Sequence, residues 1–346
     1  MMDRKRRGAL LSWGIVALLA VLLLAVHGYG TWGTSILAEQ GQTIEVRPGE
    51  AFSAMAHRLA REGVLRNPRF LRVLAGLRGD TGRIKAGQYV VQGRISPNQL
   101  LDFLVAGKGE LSVLTIPEGY SLRDIANTLA AQRLGSAEEF LRLTHDPAFI
   151  AKLDLPFTPA PTSLEGLLFP DTYFLYRGVN ETTLVTVMVR QFRRRALPIL
   201  QAGAAAVHLS PYDALILASI VEKETGVAAE RPVVSAVFLN RLHDGMRLAS
   251  DPTVIYGVPD FDGNLTRAHL RTPTPYNTYT NYGLPPTPIA NPGLPSIRAA
   301  VAPADVRYLY FVAKGNGTHQ FSQDYTAHER AVDRFQRHPH RKGQGT

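Results

Sequence analysis

A chain of 346 residues with 45% apolar content has room for two or three domains and ample material for a core. It has no cysteine, which excludes disulfides and thiolate metal sites and suits an oxidising compartment. Its net charge of +9 favours anionic partners, yet no basic run interleaved with aromatics occurs in the body of the chain, so nucleic acid is not expected.

Arg4, Lys5, Arg6 and Arg7 precede an apolar run from Ala9 to Val26. About 20 apolar residues span a bilayer. The sequence therefore predicts a cytoplasmic tail over 1–8, a transmembrane helix over 9–28 and a linker over 29–42. Basic residues before the run keep the first residues cytoplasmic, so the remaining chain faces outward. The competing reading is a cleaved signal peptide. The run is long for one, and His27-Gly28-Tyr29-Gly30 is a poor cleavage site.

Thr43–Val46 alternates as a short strand, followed by an amphipathic helix over Ala51–Glu62, with Phe52, Met55 and Leu59 on one side. Asn67 and Pro68 open a second helix, Ile84–Val91 returns as a strand, and Ser96-Pro97 begins a third helix over Asn98–Val105. This strand-helix-helix-strand order resembles a LysM-like module, a small fold that grips amino-sugar chains. A generic α+β spacer fits equally well. The module is assigned to residues 43–110.

A second domain is assigned to 111–335, with a flexible tail over 336–346. It opens with a strand at Leu111–Ile116 and helices at Leu122–Gln132 and Ser136–Leu143, then a proline-rich break at Leu155–Thr162. Leu164–Tyr173 mixes acids and aromatics in a way that suits either a carbohydrate groove or a core strand. Thr182–Leu197 reads as a basic amphipathic helix.

The domain is organised around Ser210–Gly226. Ser210 is a good N-cap, Pro211 suits the first helical position, and Gly226 is the expected stop. The helix is apolar on nearly every side, as befits a core. Leu217, Ile220, Val221 and Glu224 share one face by their spacing, so Glu224 continues a buried stripe. A carboxylate placed there is partly desolvated and holds its proton to higher pH, as a general acid must. The alternative is a solvated helix end made of Glu222, Lys223 and Glu224.

Further on, helices are expected at Val233–His243 and Thr253–Tyr256, the latter capped by Ser250. Arg271–Gly293 is rich in proline and tyrosine without apolar periodicity, and reads as an ordered binding loop. A helix at Ser296–Val301 and a hairpin, Tyr308–Ala313 and Thr318–Phe321 around Gly315-Asn316-Gly317, complete the domain.

Several segments carry a family resemblance: FPDTY (Phe169–Tyr173), ASIVEKET (Ala218–Thr225), ERPVVSAVFLNRL (Glu230–Leu242), GMRLASDPTVIYG (Gly245–Gly257), YNTY (Tyr276–Tyr279), GLPPTPIANPG (Gly283–Gly293) and YLYFVAKGNGTHQF (Tyr308–Phe321). Together they resemble the MltG/YceG-like family of membrane-anchored endolytic murein transglycosylases, over roughly Thr43–Val332. The resemblance implies an α+β fold with a transmembrane helix, a LysM-like module and a mixed α/β catalytic domain built on a central buried helix. It implies a lyase that cuts nascent peptidoglycan between MurNAc and GlcNAc, leaves 1,6-anhydroMurNAc ends, and so terminates glycan elongation. The second acid of EKET, Glu224, would be the single general acid and base, with Glu222 as the fallback. Candidate groove-lining residues are Glu165, Asp171, Asn240, Asp251, Tyr276, Asn277 and His319. No metal or cofactor is implied. The expected partners are glycan strands, the cytoplasmic membrane and peptidoglycan synthases. The alternative is a non-catalytic, membrane-tethered peptidoglycan-binding scaffold.

Overall fold

The computed structural model describes residues 20–30, 33, 35–47, 49–106, 111–176 and 179–337. Most of the expected membrane span and nearly all of the expected tail lie outside the described residues. The described part of the span is an apolar helix, α1 (Ala20–Gly30), and among the described residues no single helix is long and apolar enough to cross a membrane.

The next elements are β1 (Ile36–Val46), α2 (Phe52–Arg61), α3 (Pro68–Arg78), β2 (Gly87–Ile95), α4 (Pro97–Ala106), β3 (Leu111–Thr115), α5 (Leu122–Ala131), α6 (Ala137–Thr144), α7 (Pro147–Lys152) and β4 (Thr172–Tyr176). Then follow α8 (Glu181–Arg195), α9 (Leu197–Gly203), α10 (Pro211–Glu224), α11 (Arg231–His243), α12 (Asp251–Gly257), α13 (Arg267–Arg271), α14 (Leu294–Val301), β5 (Tyr310–Ala313), β6 (His319–Ser322) and α15 (Tyr325–Val332). The fold is mixed α+β. It divides into two units, one reaching Thr115 and including Thr172–Val187, the other comprising Ile116–Asp171 and the chain from Met188.

The first unit carries a four-stranded sheet in the order β1-β2-β4-β3. β1 pairs antiparallel with β2 from Ile36↔Ile95 to Val46↔Gly87, with an irregularity between Ala38 and Gln42. This pairing extends β1 well before Thr43, through a polar stretch whose composition gave no strand signal. β4 runs parallel to β2 and antiparallel to β3, so two strands expected in the second domain complete the sheet of the first. The Tyr89 and Phe174 rings stack at 4.7 Å, and a Cβ at Gly87 would lie 2.1 Å from the Phe174 ring, so only glycine fits there. Phe52, Met55, Ala56 and Leu59 of α2 and Leu71, Leu74 and Ala75 of α3 bury their apolar stripes in this core. The Asn67 side chain accepts from Phe70 N to start α3, and Gly79 ends it in the left-handed conformation.

In the second unit α10 is the core helix, packed by α9, α11 and α14. Ala214 to Val221 are all buried. Its start is as expected: the Ser210 hydroxyl accepts from Asp213 N at 3.1 Å, and Pro211 opens the first turn. Its end is not. The helix stops at Glu224 because Thr225 turns extended (φ −141°, ψ 131°), and Gly226 has no left-handed role. Ser219, buried in mid-helix, donates to Ile216 O and accepts from Ile289 N at 3.0 Å, tying the long loop to the core helix. Gly166 sits at φ 81°, and a Cβ there would lie 2.5 Å from Pro288.

Candidate active site

Glu224 ends α10 half-buried, where the apolar helix gives way to polar neighbours. Burial pushes its carboxyl up to about 7. The Ser250 hydroxyl donates to its Oε1 at 2.5 Å and, with the nearby charges of His319 and Arg241, opposes that rise, while Asp251 reinforces it. Ser250 occupies the N-cap position of α12 without making a side-chain cap bond, because its hydroxyl is turned to Glu224. Ser250 is fixed from behind: its N–H donates to Thr278 Oγ1 at 3.0 Å, and its carbonyl accepts from Thr253 Oγ1 at 2.7 Å. Ala249 beside it sits at φ 49°, a left-handed conformation uncommon outside glycine and one that aims the next residue.

The other acid of the motif stands differently. Glu222 accepts from Gly293 N at 3.0 Å and pairs with Arg231 at 3.4 Å, with both side chains buried. It is a tie between α10, α11 and the start of α14.

Two of the expected lining residues stand in the electrostatic surroundings of Glu224. Asp251 is exposed and accepts from Tyr279 OH at 2.7 Å. His319 is held by Glu230, with Nδ1 at 2.7 Å from one carboxylate oxygen and its backbone N–H donating to the other at 2.9 Å. Against the upward push of burial, the His319 hydrogen bonds hold Glu230 below its ordinary value. Thr225 Oγ1 donates to the same carboxylate at 3.2 Å, so the residue after Glu224 is pinned to the His319 anchor.

The remaining candidates lie elsewhere. Asn240 donates to Val306 O and Tyr308 O, both at 2.9 Å, and holds the approach to β5. Asp171 accepts from Gln191 at 2.9 Å. Tyr276 bonds Thr287 Oγ1 at 2.9 Å and packs edge-on to Tyr256. Asn277 is fully buried, donates to the carbonyls of His269, Leu270 and Thr272, and accepts from Tyr279 N. Glu165 is only 1% exposed and so lines no open groove. It accepts from Leu122 N, Tyr256 OH and Asn291 Nδ2.

Sequence reasoning missed Ser250 as a partner of Glu224, and did not single out Glu230, Arg241 and Tyr279 as site residues, although all three lie in the quoted motifs. Arg241 donates to Leu309 O and Leu248 O, both at 2.6 Å, and lies over the Tyr310 ring at 5.3 Å. It thereby locks the loop before Ser250 to the hairpin that carries His319.

Asn277→Ala would remove the donor to three loop carbonyls and the acceptor of Tyr279 N, and loosen the loop holding Thr278 and Tyr279. The expected loss is about 2 kcal/mol of stability, read from denaturant unfolding, with lower turnover on the same preparation. Because the hydrogen bond from Ser250 favours the charged form of Glu224, Ser250→Ala moves any titration of Glu224 to higher pH. The Glu224 carboxyl signal, followed by carbon NMR, will show that shift, and a downward shift would contradict the geometry.

The chain matches the YceG-like family over residues 44–334. It is 29% identical over 330 residues to the endolytic murein transglycosylase of Bacillus subtilis (strain 168), covering 90% of this chain and 91% of that protein. It is 31% identical over 278 residues to the protein of the same name from Streptococcus pneumoniae serotype 2 (strain D39 / NCTC 7466), covering 72% of this chain and 50% of that longer one. A crystal structure of a yceG-like protein from Listeria monocytogenes superposes with a TM-score of 0.57 at 31% identity, covering 84% of this chain and 98% of the other. Both units described above fall largely within the matched span, and so do Glu224, Ser250 and His319: the chain belongs to the YceG-like family.

Proposed function

We propose that the chain is an endolytic murein transglycosylase with Glu224 as its single acid and base. The observation that carries this reading is a half-buried carboxylate, raised to about 7, at the end of a core helix and hydrogen-bonded by a fixed serine. Such a group still holds its proton near neutral pH and can give it up in the transition state.

The reaction needs no second carboxylate. Protonated Glu224 gives its proton to the glycosidic oxygen between MurNAc and GlcNAc, and the C1–O bond breaks. The C6 hydroxyl of the same MurNAc attacks C1, forming the 1,6-anhydro bond, and its proton passes to the Glu224 carboxylate. The acid is regenerated and no water is consumed. Ser250 steadies the ionised form between the two steps, Arg241 supplies positive charge beside it, and Asp251 accepts a substrate hydroxyl. Glu222, tied to Arg231 and Gly293, stays outside the chemistry.

The same reading places the active unit outside the inner membrane, held by the apolar segment that ends in α1. The β1-α2-α3-β2 order supports a LysM-like grip on the glycan by the first unit. Cutting nascent strands in this setting terminates their elongation and brings peptidoglycan synthases near as partners.

The test is end-group analysis of uncrosslinked glycan strands after incubation with the full chain. Anhydro-ended products are expected. Free reducing ends would mean that water is the nucleophile, and intact strands would leave a binding scaffold. Turnover will fall as pH rises through about 7, because the proton-bearing form of Glu224 is lost there. A profile flat from pH 5 to roughly 9 would exclude that acid.

A further inference from the structure

We propose that the outward face of α3 in the first unit rests on an anionic lipid surface, a contact that rests on the anchored reading above. The buried stripe of α3 is Leu71, Leu74 and Ala75. The opposite face carries Arg69, Arg72, Val73 and Leu77, which share a side by helical spacing. Val73 is 58% and Leu77 65% exposed, among the few large apolar side chains in that state. Neither α2 nor α3 contains an acidic residue, and Arg69 and Arg72 are both exposed on this face. A shallow groove beside it is walled by Phe52, Arg69, Arg72 and Val73.

Two further observations select a bilayer as the occupant. First, α1 docks on this same helix: Tyr29 meets Phe70 edge-on at 4.6 Å, and Val26 packs against the unit's core. Second, Val21 to Leu24 of α1 stay 58–71% exposed, so the apolar segment leaves the unit next to the face in question. An apolar centre flanked by arginines, whose stems lie along lipid while the guanidinium groups reach phosphates, is the pattern of an interfacial helix. Each such cation near an anionic leaflet contributes modestly, and a membrane tether turns several weak contacts into a persistent one.

The chain has no cysteine, so single labels can be placed at will. The full chain is reconstituted into vesicles of phosphatidylcholine, with or without phosphatidylglycerol, carrying bromine on the acyl chains. Bimane is attached at Leu77→Cys, at Leu23→Cys in α1, or at Ala148→Cys as an exposed control. The expected result is quenching at both Leu77 and Leu23 but not at Ala148. Quenching at Leu77 should be at least about twofold stronger with the anionic lipid and abolished by Arg69→Glu with Arg72→Glu. Quenching at Leu23 alone would overturn the proposal and leave the anchor standing. Quenching at neither would remove both. A blue-shifted but unquenched label at Leu77 would mean that protein covers the face, and equal quenching without phosphatidylglycerol would remove the charge selection. Either result overturns the proposal.

Discussion

Replacing Glu224 by glutamine will lower turnover by about 10²–10⁴-fold without unfolding the protein. The amide keeps the shape of the carboxyl and can still accept from Ser250, but it has no proton to give and cannot become a base. The thermal midpoint should stay level or rise, because a group that ionises only with difficulty has been removed from a desolvated site. Glu222→Gln, by contrast, weakens the pairing with Arg231 and the Gly293 contact, so it should cost stability first. Measuring turnover and melting for both variants separates the two acids. If Glu222→Gln abolished cleavage in a folded protein while Glu224→Gln remained active, the proposed roles would be exchanged.

Replacing Glu165 by alanine will lower the stability of the second unit by about 3 kcal/mol or more. Three donors lose a bond at once: the first amide of α5, the Tyr256 hydroxyl on α12 and the Asn291 amide, which keeps only Tyr120 O. Burial raises the Glu165 carboxyl to about 7, and the hydrogen bonds to it only partly oppose that. Its folded-state value is thus above the unfolded one. Stability from this group is full below about 4.5 and is lost as pH rises through about 7. Comparing wild type with Glu165→Gln by urea unfolding at pH 5 and 8 should show the pH-dependent part shrinking in the variant. An unchanged difference between the two pH values would mean that Glu165 ionises without resistance.

The legible parts of the molecule were those fixed by near neighbours in sequence. Ser210 and Pro211 announced the start of α10, its all-round apolarity announced its burial, and the spacing from Leu217 to Glu224 placed the acid on a core-facing stripe. The long loop Arg271–Gly293 was readable as ordered, and Asn277 supplies the order through bonds to three carbonyls.

What sequence could not supply was set by distant pairing. Ser250 has every local mark of a helix cap, and its bond to Glu224 depends on Thr278, Arg241 and the strained Ala249. Glu230 looked like the mere beginning of a helix, whereas it holds His319 from far along the chain. Glu165 and Asn240 have the polarity of groove residues, yet both satisfy buried or half-buried backbone and side-chain groups, a use that looks the same in one dimension. The short helices α7, α9, α13 and α15 were not expected from the sequence.

The strand order β1-β2-β4-β3 has a consequence for how the chain is made. The slot between β2 and β3 is filled by Thr172–Tyr176, and everything from Ile116 to Asp171 must be synthesised before that strand exists. A chain emerging N-terminus first therefore presents the open side of β2 to its surroundings for the whole interval. Open strand sides recruit other chains, and such late pairings are slow. Any fragment that ends near Ala106 or Thr115 would keep that unfilled slot permanently. A shortened chain intended to be soluble must therefore retain β4.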